Sequence, residues 1–140
     1  MQLPLRPKNE NLVFFDTGPT SAFKFYVDSA SLSVERDDGV VRFTVVAKTD
    51  TAANVTYEGF RCMTRERKLY AYGRLDGTWR AVSDPTWEKL GTVAGDGYRQ
   101  VLYWNYFCAP SAHVRTAAEA LNALKLGGHP YARPNWSPAE

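Results

Sequence analysis

The 140-residue sequence predicts an α+β protein with an antiparallel sheet of about five or six strands and two helices in its C-terminal half. Between residues 23 and 82, apolar residues alternate with polar ones, as in half-buried strands. Beyond residue 97 the spacing becomes helical, and a capping signature precedes the last helix. Two cysteines, Cys62 and Cys108, fall one in each of these regions.

The predicted organisation is an extended arm over residues 1–20, a single domain over 21–128 and a proline-rich tail over 129–140. The arm has one apolar patch, Leu12–Phe15, which suits either an edge strand or a packed extended segment. We expect an ordered arm. The prolines extend the tail, which we expect to be mobile beyond Tyr131.

The first predicted strands cover residues 23–27 and 31–35. Asp38-Gly39 then predicts a tight hairpin, because glycine tolerates positive φ. In the next strand, residues 40–48, one face carries the apolar set Val41, Phe43, Val45 and Ala47.

Residues 54–63 form a long predicted strand that Gly59 interrupts. A bulge at Glu58-Gly59 would bring two residue pairs of opposite parity to one face. These are Val55 and Tyr57, and Phe60 and Cys62. A charged turn, a return strand over 68–72, a second hairpin signal and a strand over 78–82 follow.

Tyr98, Val101, Leu102 and Tyr106 fall near helical spacing, although the aromatic content of residues 98–107 would also suit a strand. We predict a helix over Tyr98–Phe107, because Cys108-Ala109-Pro110 follows as a break that would end it. The last helix covers residues 117–126, with Thr116 as N-cap and Glu119 at the capping-box position. Glycine at 127 or 128 ends it.

The composition argues against some classes of function. Seventeen basic and fifteen acidic side chains leave a formal charge of only +2, too little for a typical nucleic-acid binder. No apolar run approaches the roughly 20 residues of a membrane-spanning helix. The N-terminus has no signal-peptide core, and we expect an export signal to be missing from this sequence.

Cys62 and Cys108 are 46 positions apart and belong to neither a redox nor a zinc motif, which favours a structural disulfide over two buried free thiols. A disulfide indicates a compartment outside the cytoplasm. We expect Cys62 to follow the bulge on the inward face and Cys108 to end the aromatic helix, so that the bond joins sheet to helix.

No recognisable catalytic, metal or cofactor motif is present, and we predict none of these sites. Two alternatives stay open. Paired carboxylates could act in a cleft, drawn from Asp28, Glu35, Glu58 and Glu88. A reduced Cys108 could act as nucleophile with His113 or His129 as base.

Two regions are candidates for an interaction surface. One is the basic turn with Arg61, Arg65, Arg67 and Lys68; such a run is more often a solvated hairpin. The other is the tail, with Tyr131, Arg133 and Trp136. Aromatic residues elsewhere are expected in the core.

Several strings resemble the CNP-like family of small bacterial proteins over roughly residues 20–130. The most specific is Tyr57-Glu58-Gly59-Phe60-Arg61-Cys62. The others are Phe25-Tyr26-Val27-Asp28, Ser31-Leu32-Ser33-Val34, Lys68-Leu69-Tyr70-Ala71, Tyr106-Phe107-Cys108 and Gly127-Gly128-His129-Pro130. The resemblance implies export, a periplasmic or membrane-attached location and no assigned activity, and it transfers no site residues.

The function that we expect is therefore that of a bacterial cell-envelope, periplasmic protein that is not an enzyme and that binds another envelope protein or component or supports an assembly. The alternative is a small enzyme or small-molecule binder. The two differ in what they need, because an enzyme requires a cleft with converging reactive groups.

Overall fold

The computed structural model describes residues 2–19, 22–91 and 96–132. Its main feature is an eight-stranded antiparallel sheet. The strands are β1 (Leu12–Phe15), β2 (Lys24–Asp28), β3 (Ser33–Val34), β4 (Val41–Lys48), β5 (Ala53–Arg61), β6 (Glu66–Gly73), β7 (Trp79–Ala81) and β8 (Glu88–Lys89). Their order is β1-β2-β4-β5-β6-β7, with β3 also paired to β4 and β8 to β6.

The sheet has more strands than the predicted five or six. β1 is the apolar patch of the predicted arm, and it pairs with β2 from Leu12↔Asp28 to Phe15↔Phe25. β8 has only two residues, so its sequence shows no alternation that could identify it. Both extra strands are thus defined by backbone pairing with a neighbour.

The two Asp-Gly turns form as predicted. Gly39 has φ +70° between β3 and β4, and the carboxylate of Asp38 accepts the N–H of Val40 at 3.0 Å. Gly77 has φ +89° between β6 and β7, where the carboxylate of Asp76 accepts the N–H of Thr78 at 3.0 Å. Side chain and glycine together stabilise each turn.

The predicted bulge at Glu58-Gly59 is wrong. β5 pairs with β4 without interruption, and the register shift lies between β5 and β6, where Tyr57 faces Ala71 but Glu58 faces Leu69. The extra residue is Tyr70 of β6. Alternation is therefore preserved along β5, which puts Tyr57 and Phe60 on opposite faces of the sheet.

Gly59 has a different role from the predicted one. A Cβ at this position would lie 3.0 Å from the ring of Tyr70, so glycine allows the ring to cover the strand. Tyr70 also packs against Tyr57, with ring centroids 5.5 Å apart. A small apolar cluster thus forms on the outer face of the sheet, away from the helices.

The N-terminal segment crosses this outer face. Arg6 donates to the carbonyls of Arg74 and Thr78 at 3.0 and 2.7 Å. Trp79 of β7 donates its indole N–H to the carbonyl of Pro4 at 2.7 Å. These contacts attach residues that precede β1 to the opposite edge of the sheet.

The main core lies on the inner face, under the helical layer. The predicted helix over residues 98–107 is present as α1 (Gly97–Leu102) followed directly by a π-helical turn (Tyr103–Phe107). Phe107 reaches the sheet and lies 5.5 Å from Phe43, centroid to centroid. A short hairpin of β9 (Cys108–Ala109) and β10 (Ala112–His113) follows.

Helix α2 (Ala117–Lys125) completes the layer. Its predicted N-cap is confirmed, because the hydroxyl of Thr116 accepts the N–H of Glu119 at 3.1 Å. Glu119 Oε1 in turn accepts the N–H of Arg115 at 3.0 Å. Gly127, at φ +79°, follows the helix and permits its termination.

Candidate functional site

The Cys62–Cys108 disulfide predicted from the sequence is present, with Cα atoms 5.3 Å apart. Cys62 opens a 3₁₀ turn (Cys62–Thr64) after β5, and Cys108 directly follows the π-helical turn. The hydroxyl of Tyr103 donates to the carbonyl of Cys62 at 2.6 Å, which adds a second link between the layers. The bond therefore joins the sheet to the helical layer.

An open cleft of about 730 Å³ lies beside this disulfide. Five separate parts of the chain form its walls: the β3–β4 hairpin, the 3₁₀ turn, the β9–β10 hairpin, the start of α2 and the segment after α2. Both histidines of the chain, His113 and His129, line it. We take this cleft as the candidate functional site.

His129 is buried and both of its ring nitrogens are engaged. Nδ1 accepts the N–H of Tyr131 at 3.1 Å, so Nε2 carries the proton that it donates to Glu119 Oε2 at 2.9 Å. The backbone N–H of His129 also donates to the carbonyl of Asn105 at 2.7 Å. His129 thereby attaches the segment after α2 to the helical layer, with no free lone pair for use as a base.

Glu119 is the carboxylate partner in this arrangement. Burial acts to raise its pKa, but the hydrogen bonds from His129 and from the backbone N–H of Arg115, together with the positive charge of the Arg115 side chain, lower it by more. The carboxylate is therefore held in its ionised form.

Apolar side chains project from the rim of the cleft. Met63 is 86% exposed and Tyr131 is 78% exposed. Met63 directly follows a cysteine of the disulfide, which fixes its position relative to the cleft. Exposed methionine and tyrosine are residues that protein interfaces favour.

The predicted basic turn is separated by the fold. Arg61 lines the cleft and lies over the ring of Trp87 at 4.1 Å, and Lys68 lies over the same ring at 5.1 Å. Arg65, in the left-handed conformation, stacks on Trp104. Arg61 and Lys68 thus meet at one ring, whereas Arg65 lies at Trp104 and Arg67 is buried, so the four side chains do not form one basic surface.

Arg67 is the clearest correction to the predicted surface, since it is only 7% exposed. Its guanidinium lies 3.1 Å from Glu88 and 3.6 Å from Asp96. Of the predicted tail residues, Tyr131 reaches the cleft, while Arg133 and Trp136 lie outside the described residues.

The four carboxylates considered for catalysis lie in separate parts of the structure and do not converge on one cleft. Glu58 is fully buried in an ion pair with Arg99 of α1. Asp28 is buried and accepts the hydroxyl of Ser31 at 2.8 Å. Glu35 pairs with Arg42 at 3.7 Å and Glu88 with Arg67 at 3.1 Å.

In residues 2–19, 22–91 and 96–132, no group of three or more His, Cys, Asp or Glu side chains is placed to hold a metal ion. Over the same ranges, no helix has the length and apolar character needed to cross a membrane.

Sequence reasoning missed most of the cleft. Arg36, Met63 and Arg115 are in segments that carry no motif, and the walls meet only when the sheet and helices pack together. The cysteines were the one usable signal, because they mark where the two layers join.

Fold and site together define a disulfide-bonded α+β protein with an open cleft at the junction of its layers. The chain belongs to the CNP1-like family, whose family model matches residues 1–125. This confirms the resemblance found in the sequence strings. Neither a curated protein nor a solved structure matches the chain.

Proposed function

We propose that this is an exported, periplasmic protein of the bacterial cell envelope that binds another polypeptide at the disulfide-side cleft and is not an enzyme. The observation that carries the proposal is the exposure of Met63 and Tyr131 at the rim of an open cleft. Large apolar side chains that protrude beside a concave surface suit contact with a partner.

The chemistry of the cleft supports binding over catalysis. His129 and Glu119 bond to each other and to backbone groups, so neither is positioned to exchange a proton with a substrate. Cys108 is bonded to Cys62, and its use as a nucleophile would require opening that bond first.

The disulfide supports the proposed location. Cys108 is 1% exposed, and such a bond forms and persists in an oxidising compartment. The family resemblance implies the same location, and a partner would then be another protein or component of the envelope.

In-cell crosslinking tests the proposed contact surface. A photoreactive amino acid replaces Met63 or Tyr131, and a matched control replaces Leu75, which is 104% exposed but lies in the β6–β7 turn. We expect discrete crosslinked products from the two cleft positions that are missing at the control, with an envelope partner identified by mass spectrometry. Equal products at all three positions, or none at the cleft, would refute the proposal.

A further inference from the structure

The acidic side chains of the cleft are already bonded within the chain. Glu119 accepts from His129 and from the N–H of Arg115, and Asp38 accepts the N–H of Val40 at 3.0 Å. Glu35 lies 3.7 Å from Arg42. Glu119 and Asp38 thus accept hydrogen bonds within the chain, and Glu35 has an ion-pair partner.

The basic side chains of the cleft differ from the acidic ones in how many of them have a partner within the chain. Arg61 is committed to Glu66 at 3.3 Å. The guanidinium groups of Arg36 and Arg115 have neither a hydrogen bond nor an ion pair within the described part of the chain, although both line the cleft. They are exposed and stand on different walls, one on the β3–β4 hairpin and one before α2. A ligand would thus meet two exposed guanidinium groups that donate no hydrogen bond within the described part of the chain, beside carboxylates that already have partners.

From these contacts we infer that the cleft binds an extended acidic segment of the partner polypeptide. Arg36 and Arg115 bind its carboxylates, and Met63 and Tyr131 pack against an apolar residue beside them. This inference rests on the proposed function and adds the chemistry of the partner.

The shape and charge of the surface favour a peptide over other anionic partners. A volume of about 730 Å³ lies in the usual range for ligand clefts, about 300–1,000 Å³. A bilayer surface would not enter such a concavity. Nucleic acid would need many phosphate contacts, which a chain of net charge +2 with two exposed arginines here does not supply.

Fluorescence anisotropy measures the binding directly. The probe is a short fluorescein-labelled peptide of alternating aspartate and leucine, with a lysine–leucine peptide as its opposite-charge counterpart. We expect the acidic peptide alone to bind, with an affinity that falls as salt is added. The Arg36→Glu/Arg115→Glu double variant should weaken it by at least about tenfold.

The control is Arg74→Glu/Arg80→Glu, which changes the total charge equally at exposed positions around β7. It should leave the affinity within about twofold. Arg36→Gln/Arg115→Gln, which avoids new repulsion, should show an intermediate loss. Circular dichroism and a closed disulfide establish that each variant is folded.

Three results would overturn the inference. The control variant could weaken binding as much as the cleft variant, which would indicate a response to total charge only. The lysine peptide could bind equally well. Phosphatidylglycerol vesicles or heparin could bind through Arg36 and Arg115 while the acidic peptide does not. The in-cell crosslinking at Met63 separates this inference from the proposed function. If the acidic peptide does not bind but Met63 still crosslinks to a partner, only the inference about an acidic partner is wrong. If Met63 gives no crosslink either, the proposed function is wrong as well.

Discussion

Glu58, on the central strand β5, and Arg99, on helix α1, form an ion pair in the interior of the protein. Glu58 also accepts hydrogen bonds from Tyr98 at 2.5 Å and Thr56 at 2.6 Å. Burial by itself lowers the pKa of Arg99, but the interactions with Glu58, Tyr98 and Asp96 together raise it by more, so the arginine stays charged. The pair links the helical layer to the middle of the sheet.

The Glu58→Gln variant should be less stable by about 3 kcal/mol, because it removes one of the two charged partners of the buried Arg99 and leaves only Asp96, 2.8 Å away. Urea unfolding at neutral pH measures this loss as a lower midpoint. Glu88→Gln is the matched control at the exposed end of the same network, where its side chain is 46% exposed. It should cost no more than about 1 kcal/mol. Equal losses in the two variants would contradict the role given to the buried pair.

The Gly59→Ala variant should be destabilised by about 1–3 kcal/mol, because the added Cβ meets the ring of Tyr70. The test is a double-mutant cycle with Tyr70→Leu, which removes the ring. We expect the cost of Gly59→Ala to fall markedly in the Tyr70→Leu background. An unchanged cost would mean that glycine serves a backbone need, as in the bulge predicted from the sequence.

These residues show where sequence reasoning about the fold succeeds. The turns at Asp38-Gly39 and Asp76-Gly77 and the cap at Thr116 depend on local chemistry, and all were predicted. The bulge was misplaced because an interruption of alternation at Gly59 looks the same whether the extra residue lies in that strand or in its neighbour, at Tyr70. Only the pairing of β5 with β4 and β6 decides between them.

The site was less predictable for a similar reason. Arg67 is typical of an exposed charged turn in sequence, yet it is buried because Asp96 and Glu88, distant in the chain, supply its partners. His129 was grouped with the tail, and its burial depends on Glu119 and Asn105. Such partners are identified by packing and not by spacing.

Glu119 should make a pH-dependent contribution to stability. Its pKa in the folded protein is lowered from the ordinary 4.5, so its contribution is present above that value and is lost as the pH falls through the lower folded pKa. The stability difference between the wild type and Glu119→Gln should be constant above about pH 5.5 and shrink below about pH 4.5.

Asp50→Asn, at an exposed position in the β4–β5 turn, is the control for Glu119→Gln. Unfolding midpoints collected across the acidic range check both variants. A difference for Glu119→Gln that grows on acidification has the opposite sign and would count against the hydrogen bonds assigned to this carboxylate.

The disulfide should account for a large share of the stability. Cys62→Ser/Cys108→Ser opens a loop with a sequence separation of 46 residues, and the chain-entropy model gives a loss of about 4 kcal/mol. Denaturant unfolding of the variant measures it, and the wild type in dithiothreitol should approach the same midpoint. A loss below about 1 kcal/mol would mean that packing alone joins the layers.

The state of Cys62 and Cys108 in the cell tests the central claim most directly, because the proposed compartment and the structure of the cleft both depend on a closed bond. Cells that naturally make the protein are quenched in acid, and the denatured protein is treated with a maleimide–polyethylene glycol reagent before and after reduction. We predict no mobility shift before reduction and the addition of two groups after it, in the periplasmic fraction. Two reactive thiols before reduction, in protein that remains in the cytoplasmic fraction, would contradict the account.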